Sequence, residues 1–509
     1  MNFNSSKESA TKKGISGILW NFSGSIVTVF LQLFVIGILA RLLTPEEFGV
    51  VAIIMILVSF SDLFREMGIG SALIQLPNIH SKHISLGFTL SLIIGLTIGI
   101  LFYLLAPWIG TFFELQNADL AIQFFAIFFP LRSVSSVSGA LLRRNLQFSL
   151  LVKIDLISYI SGSGIIAIVL AYLNYGYWSL ILGQFASLMI SLIILTYFKR
   201  PRFSFRFHKK VVRDLLYFGS GHTLGSVFNY FAENADNIVV GKLYGTVVLG
   251  IYSKAFQIMS MPAMFFGKIF DRVLFPILAQ KQDQKKKLSD FYLFSNSLCF
   301  ALLIPIAVLI FINAELIVNT LLGDQWQEVI VPLKILILGL AYRFGTKINK
   351  SYIKALGIIY RGAYYQLIFA LLMVSSTLIG GYYFGLNGVA FGVLNATVLN
   401  YLQVSYRLYK ELKFPSRYYY ALHIKVLALS APFIIFTMLL YYYNITSQWI
   451  HLVITITLYV PVMLFVFIHK DYIVFNNQNS TIITQVLQVL PSVVKQKLMK
   501  IRVLRKYNA

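Results

Sequence analysis

Apolar runs of twenty or more residues recur along the whole of this 509-residue chain. About twenty such residues are what one helix needs to cross a hydrocarbon layer roughly 30 Å thick. The composition agrees, with 58% hydrophobic and only 12% charged residues, where a soluble domain is nearer 25% charged. A membrane β-barrel would need alternating segments of about ten residues, and the sequence contains none. The chain therefore reads as an all-α polytopic membrane protein. About fourteen transmembrane helices are predicted, near 14–40, 48–70, 85–109, 120–142, 150–172, 176–198, 214–240, 247–271, 291–312, 328–346, 362–383, 386–406, 421–442 and 449–468.

The net charge of +24 invites a nucleic-acid reading, but placement points elsewhere. Most of the 43 Lys and Arg fall at the N-terminus, in the even-numbered connections and in the tail. The odd-numbered connections hold two, Arg41 and Lys242, against seven acids: Glu46, Glu47, Glu114, Asp119, Glu315, Asp324 and Glu328. Cationic loops remain in the cytoplasm, so both termini are expected there. The basic excess sets topology and attracts anionic lipid headgroups. Spread over many separate loops, it makes no nucleic-acid surface.

Cys299 is the single cysteine, so the chain forms no internal disulfide. The apolar stretch from Gly14 to Ala40 is far longer than the hydrophobic part of a cleaved signal peptide and reads as a retained signal anchor. No Gly-rich loop followed by Lys-Ser/Thr occurs, and nothing resembles a metal cluster or a nucleophile–base arrangement. No catalytic residue, metal or cofactor is expected. From about Asn476 the tail mixes apolar residues with Lys495, Lys497, Lys500, Arg502, Arg505 and Lys506; it is either a basic amphipathic helix on the inner surface or a frayed cationic end.

The connection "LARLLTPEEFGVVAI" (39–53) has an echo in "VGKLYGTVVLGIYSK" (240–254), 201 positions on. Arg41-Leu42 returns as Lys242-Leu243, and Phe48-Gly49-Val50 as Leu249-Gly250-Ile251. The same offset lays Gly24-Ser25 on Gly225-Ser226, Asn21 on His222 and Gln32 on Glu233. Six spans precede the basic loop 198–213 and six follow it, so both halves start on the cytoplasmic side as parallel repeats. The alternative is that apolar helices resemble one another. Pro45 keeps Thr44 out of helical geometry, and Thr44 or Glu46 can start the next helix, which makes the hairpin a structural joint.

Together with "GIGSALIQ" (68–75), "LLRRNLQF" (141–148) and "YGYWSLILGQ" (175–184), the stretch 39–53 resembles the polysaccharide exporter family. These are the O-antigen, teichuronic-acid and colanic-acid type flippases of the multidrug/oligosaccharidyl-lipid/polysaccharide superfamily. The resemblance implies two pseudo-symmetric six-helix bundles, 1–206 and 207–413, around a central cavity. Two further helices would occupy 414–470 and the basic tail 471–509. It implies passage of a polyprenyl-pyrophosphate-linked oligosaccharide between the leaflets of a bacterial cytoplasmic membrane by alternating access. Expected partners are that substrate, membrane lipids, glycosyltransferases and a polysaccharide polymerase; a monomer is expected.

Five cations lie inside spans: Arg132, Arg65, Lys254, Lys268 and Lys334. A charge in hydrocarbon costs about 2.5–3.5 kcal/mol or more, so it faces a cavity or a partner. Arg132 sits roughly 16 Å along the helix axis from Arg143, near the midplane. It is read as a cavity group for a pyrophosphate, against a buried ion pair. The other four have interfacial or snorkelling explanations of equal weight. In the seventh span Asn229, Glu233 and Asp236 form one polar stripe, extended by Asn237; Glu233 with His222 is a candidate proton site, against polar helix packing. Asp62 pairs naturally with Arg65 on its own helix. Trp178 and "RYYYALH" (417–423) fit interfacial belts better than sugar platforms. The pairs Gly95/Gly99, Gly221/Gly225 and Gly388/Gly392 read as packing devices.

The expected function is thus flippase, not enzyme. A drug or cation antiporter on the same architecture would want an acidic cavity. A membrane polymerase or ligase would want a large external loop.

Overall fold

The computed structural model describes residues 27–65, 69–76, 79–115, 119–204, 207–280 and 285–413, with the isolated positions 24, 435 and 457. The thirteenth and fourteenth predicted spans and the basic tail lie outside the described residues. Every regular element among those residues is helical. Among the described residues seven helices are long and apolar enough to cross a membrane, or eight if one bent pair counts as a single span.

In chain order the elements are α1 (Val27–Leu42), α2 (Pro45–Arg65), α3 (Ile69–Gln75), α4 (Ser81–Phe112), α5 (Asp119–Phe125), α6 (Phe128–Arg144), α7 (Phe148–Tyr172) and α8 (Tyr177–Phe198). Then come α9 (Lys209–Gln280), α10 (Lys285–Ile312), α11 (Ala314–Leu321), a 3₁₀ turn (Asp324–Val329), α12 (Ile330–Ile337), α13 (Leu340–Ala355) and α14 (Ile359–Leu412). Two of these are helix pairs joined at a glycine. α9 breaks at Gly245 (φ 77°) and α14 at Gly385 (φ 63°), a region of backbone space that glycine enters without steric cost. The span expected at 48–70 is divided between α2 and the short α3. The span expected at 328–346 is bent by 50° between its two parts.

The chain folds into two compact units. One holds the described residues up to Gln257 with Val318–Pro332 and Ala363–Val393; the other holds Ile258–Ile317, Leu333–Gly362 and the described residues from Leu394 onward.

Local chemistry explains the ends of several helices in the first unit. Thr44, not Glu46, starts α2. Its hydroxyl accepts the Glu47 N–H at 3.3 Å, and the Glu47 carboxylate accepts the Thr44 N–H at 2.7 Å. This is a reciprocal capping box with Pro45 at the first helical position, where its missing N–H costs nothing. At the end of α3, the Arg144 guanidinium reaches the carbonyls of Leu73, Ile74 and Leu76 at 2.9, 3.1 and 2.6 Å. It satisfies acceptors that a helix terminus leaves open.

The core of this unit joins α3, α4 and α6 through Ile69, Leu73, Leu86, Phe88, Val137 and Leu141. Gly95 and Gly99 bring α4 against the backbone of α5 and α6, at Phe129, Pro130 and Ala126, as the glycine spacing predicts. α7 carries one stretch of wider π turns, Tyr159–Ile166. There Gly162 meets the backbone of Ser187, and the Ser187 hydroxyl donates to the Ser158 carbonyl at 2.6 Å.

In the second unit α10, α13 and the last part of α14 share a buried polar hub. The Tyr292 hydroxyl donates to Asn349 Oδ1 at 3.0 Å, and Asn349 Nδ2 donates to the Ser405 hydroxyl at 3.0 Å. The Tyr401 hydroxyl donates to Asn296 Oδ1 at 3.2 Å. All five side chains are buried, and each amide is matched to a hydroxyl, as a low-dielectric interior requires.

Two predictions follow from the helix ends. Arg144→Ala leaves the α3 carbonyls without their donor and should destabilise the detergent-purified protein by about 1–3 kcal/mol, seen as a lower midpoint of thermal unfolding. Arg143→Ala, which alters only an exposed neighbour, should leave the midpoint within error. Glu47→Ala should cost about 0.5–2 kcal/mol of stability and lower the midpoint, with Glu47→Gln intermediate.

Candidate functional site: a seam between the halves of the sequence

Within the first unit, the two echoing hairpins meet. α2 begins at Pro45, and the part of α9 that follows Gly245 begins at the position equivalent by the 201-residue offset. A Cβ on Gly49 would collide with the Thr246 carbonyl, and a Cβ on Gly250 would collide with the Pro45 carbonyl. Thr246 is the equivalent of Pro45, and Gly250 of Gly49. The contact is therefore reciprocal, as at an interface between two copies related by a two-fold axis. Only hydrogen at both positions lets the helices touch backbone to backbone.

Around this crossing the seam is held by polar side chains that donate to backbone carbonyls. Trp326 is buried, and its indole donates to the Ala40 carbonyl at 2.8 Å. The Gln325 amide donates to the carbonyls of Ala40 and Leu43. Arg41 donates to the Thr320 carbonyl at 2.6 Å. The Tyr230 hydroxyl donates to the Ile56 carbonyl at 2.6 Å, and its ring packs on Phe60. At the exposed rim Lys242 pairs with Glu114 at 2.9 Å.

Lys254 lies inside the seam at 6% exposure. Its ammonium sits 3.6 Å from the centre of the Phe48 ring and 3.3 Å from Gln257 Oε1. Phe48 is itself buried and meets Trp326 edge to face at 5.5 Å. Among the described residues no carboxylate is paired with Lys254. A desolvated cation–π contact contributes about 2 kcal/mol, which does not neutralise a charge. Snorkelling to the interface, the mild explanation offered for this lysine, is not what it does: Phe48 covers it.

The other expected site residues are spread over the molecule. Arg132 is half-buried in α6, in the first unit. Lys334 is half-buried in α12, in the second unit, with its ammonium 6.0 Å from the Phe311 ring. Arg65, Lys268 and His222 lie in helices, but their side chains fall outside the description. The polar stripe of α9 divides. Glu233 is exposed, whereas Asp236 is buried and accepts hydrogen bonds from the Tyr252 hydroxyl at 2.8 Å and the Asn237 N–H at 2.8 Å.

Neither Phe48 nor Trp326 stands out in the sequence, where aromatic residues are common. The repeated glycine was a visible signal for the crossing, read only as part of a joint within each half. A second feature of the first unit is an apolar groove of about 650 Å3 between α4, α5, α6 and α8, lined by Ile100, Tyr103, Phe124, Pro130 and Trp178. Among the described residues no cluster of three or more His, Cys, Asp or Glu could hold a metal ion.

Comparison with known proteins agrees with this architecture. The lipopolysaccharide biosynthesis protein WzxC of Escherichia coli K12 is 25% identical over 401 residues, covering 77% of this chain and 80% of the relative. The succinoglycan biosynthesis transport protein ExoT of Rhizobium meliloti 1021 is 27% identical over 310 residues, 60% of this chain and 62% of the relative. The fold is that of the lipid II flippase MurJ in its inward closed conformation, at a TM-score of 0.71 and 16% identity, over 89% of this chain and 99% of that one. The polysaccharide biosynthesis protein family matches residues 38–331, more than half of the sequence, and this multi-pass membrane protein belongs to that family.

Proposed function

We propose that the chain is a flippase that carries a polyprenyl-pyrophosphate-linked oligosaccharide across a bacterial cytoplasmic membrane by alternating access. The single observation that carries the reading is the seam. Segments from both halves of the sequence close on each other through backbone contacts that a transporter of this family can make and break.

Two parallel bundles, 1–206 and 207–413, would move against each other, with helices of 414–470 and the tail 471–509 appended. The basic connections and both termini would face the cytoplasm, which puts the seam on the outer side. An anionic headgroup would enter from the cytoplasm and be held by intramembrane cations, with Arg132 foremost and Arg65, Lys254, Lys268 and Lys334 contributing. Arginine suits this task because its planar donors engage phosphate oxygens in pairs. The isoprenoid tail would stay in lipid, so no bond is made or broken. Glycosyltransferases would supply the substrate and a polymerase would consume it.

Net export against a gradient needs an energy source, and the carboxylates of α9 would supply the coupling. Asp236 is committed to Tyr252 and Asn237. Glu233, on the same stripe and exposed, is the better candidate for proton exchange, with His222 as its partner.

In vesicles loaded with a fluorescent lipid-linked glycan, the purified protein should make the headgroup accessible to an enzyme added on the opposite face. Arg132→Gln should slow this by about 10–100-fold, the loss of one or two charge-assisted bonds, and Arg132→Lys by less. No translocation by the unaltered protein would overturn the reading. Glu233→Gln should flatten the pH dependence of translocation; an unchanged profile would remove Glu233 from the coupling scheme.

A further inference from the structure

The seam contains one group that packing does not explain. Lys254 is buried within a membrane-spanning helix and is faced, among the described residues, by a ring and an amide oxygen rather than a carboxylate. If the seam were only a joint, an aliphatic residue would serve better. The sequence itself supplies that comparison. The 201-residue offset that equates Gly49 with Gly250 equates Lys254 with Ile53, and Phe48 with Leu249. Both of those aliphatic positions are fully buried. The closure is thus built symmetrically in its backbone and asymmetrically in its charge.

We propose that Lys254 and Phe48 form an anion-released latch on the closed seam. This rests on the flippase reading above and assigns to one lysine the step by which substrate opens the outer side. In the closed seam the ammonium holds the Phe48 ring, and that ring, wedged against Trp326, keeps the Gly49/Gly250 crossing in place. A phosphate oxygen that reaches Lys254 replaces the ring with a full counter-charge. Phe48 then loses its partner, and the seam is left with the backbone contact at the crossing and the exchangeable hydrogen bonds from Trp326, Gln325, Arg41 and Tyr230. The ligand class is a pyrophosphate or phosphate monoester carried on an isoprenoid. The charge, not the tail, is what the latch reads.

The test uses the full chain in proteoliposomes, with Cys299→Ala as background and Lys242→Cys with Glu114→Cys at the rim of the seam. A short bismaleimide then reports closure as the fraction of intramolecularly cross-linked protein. With Lys254 present, saturating farnesyl pyrophosphate should lower the cross-linked fraction about threefold, and uncharged farnesol should not. Lys254→Gln should abolish the response and Lys254→Arg should keep it. Gly49→Ala should lower cross-linking without any ligand. The latch is overturned if Lys254→Gln responds like its parent, if farnesol acts as well as the pyrophosphate, or if the parent moves a lipid-linked glycan while its cross-linking ignores farnesyl pyrophosphate. A parent that moves no glycan in the same vesicles overturns the flippase reading instead.

Discussion

Hydrocarbon offers no hydrogen bonds, and most of this structure follows from that one constraint. Each backbone amide within a span must find its partner inside the protein, so the apolar runs become helices. The helices break where the freed groups can be satisfied or where glycine makes the turn. Gly245 and Gly385 turn the chain between two long helical segments, and Arg144 closes the carbonyl end of α3. Several polar side chains inside spans obey the same rule: Tyr292 with Asn349 and Ser405, and Tyr401 with Asn296, pair among themselves, and Asp236 takes its bonds from Tyr252 and Asn237. Against that background Lys254 stands out, buried with no carboxylate beside it among the described residues.

The same constraint explains how a seam can be tight and still part. Lipid tails are as apolar as leucine, so burying a larger aliphatic surface between helices in a membrane gains little. Close packing and directed hydrogen bonds must hold such a contact. Here the packing is backbone on backbone at Gly49 and Gly250. The bonds run from Trp326, Gln325, Arg41 and Tyr230 to backbone carbonyls. Each donor is a side chain that can turn to water or another acceptor, and the Ala40 and Thr320 carbonyls lie in the last turns of their helices, which leave such acceptors open. Opening therefore costs a few exchangeable contacts and leaves both helices whole.

Much of this was legible in the sequence, and the rest fails for identifiable reasons. Helix positions follow from the apolar runs, the start of α2 from Thr44-Pro45-x-Glu47, and the α4 packing face from Gly95 and Gly99. These signals lie within one or two turns of the residues concerned. The fate of Lys254 does not, because the ring that covers it is some two hundred positions away. By its place near the end of a span, Lys254 looked like a residue free to reach headgroups. Asp236 reads as one member of an exposed stripe until Tyr252, across the break at Gly245, is seen to donate to it. The hub around Asn349 is invisible for the same reason, since its members come from three helices far apart in the sequence. Arg132 was singled out by depth alone, and the structure adds that it is half-buried in α6.

The repeat itself carries the last step of the argument. Duplicated halves begin with equal residues at equal positions, and departures from equality mark where the halves have been given different work. At the crossing equality persists in the one feature that geometry demands, a glycine on each side. Near the crossing equality is lost at Lys254, and it is lost again at Asp236, across the break at Gly245. Lys254 and Phe48 stand opposite the equivalents Ile53 and Leu249, and Tyr252 and Asp236 stand opposite Val51 and Val35. A buried lysine and a buried aspartate thus stand in the second half where the equivalent positions of the first half, Ile53 and Val35, are buried aliphatic residues. A two-fold joint needs no such bias. A latch of the kind proposed above needs charge on at least one side, and confining it to one side leaves the other free to serve as the rigid partner.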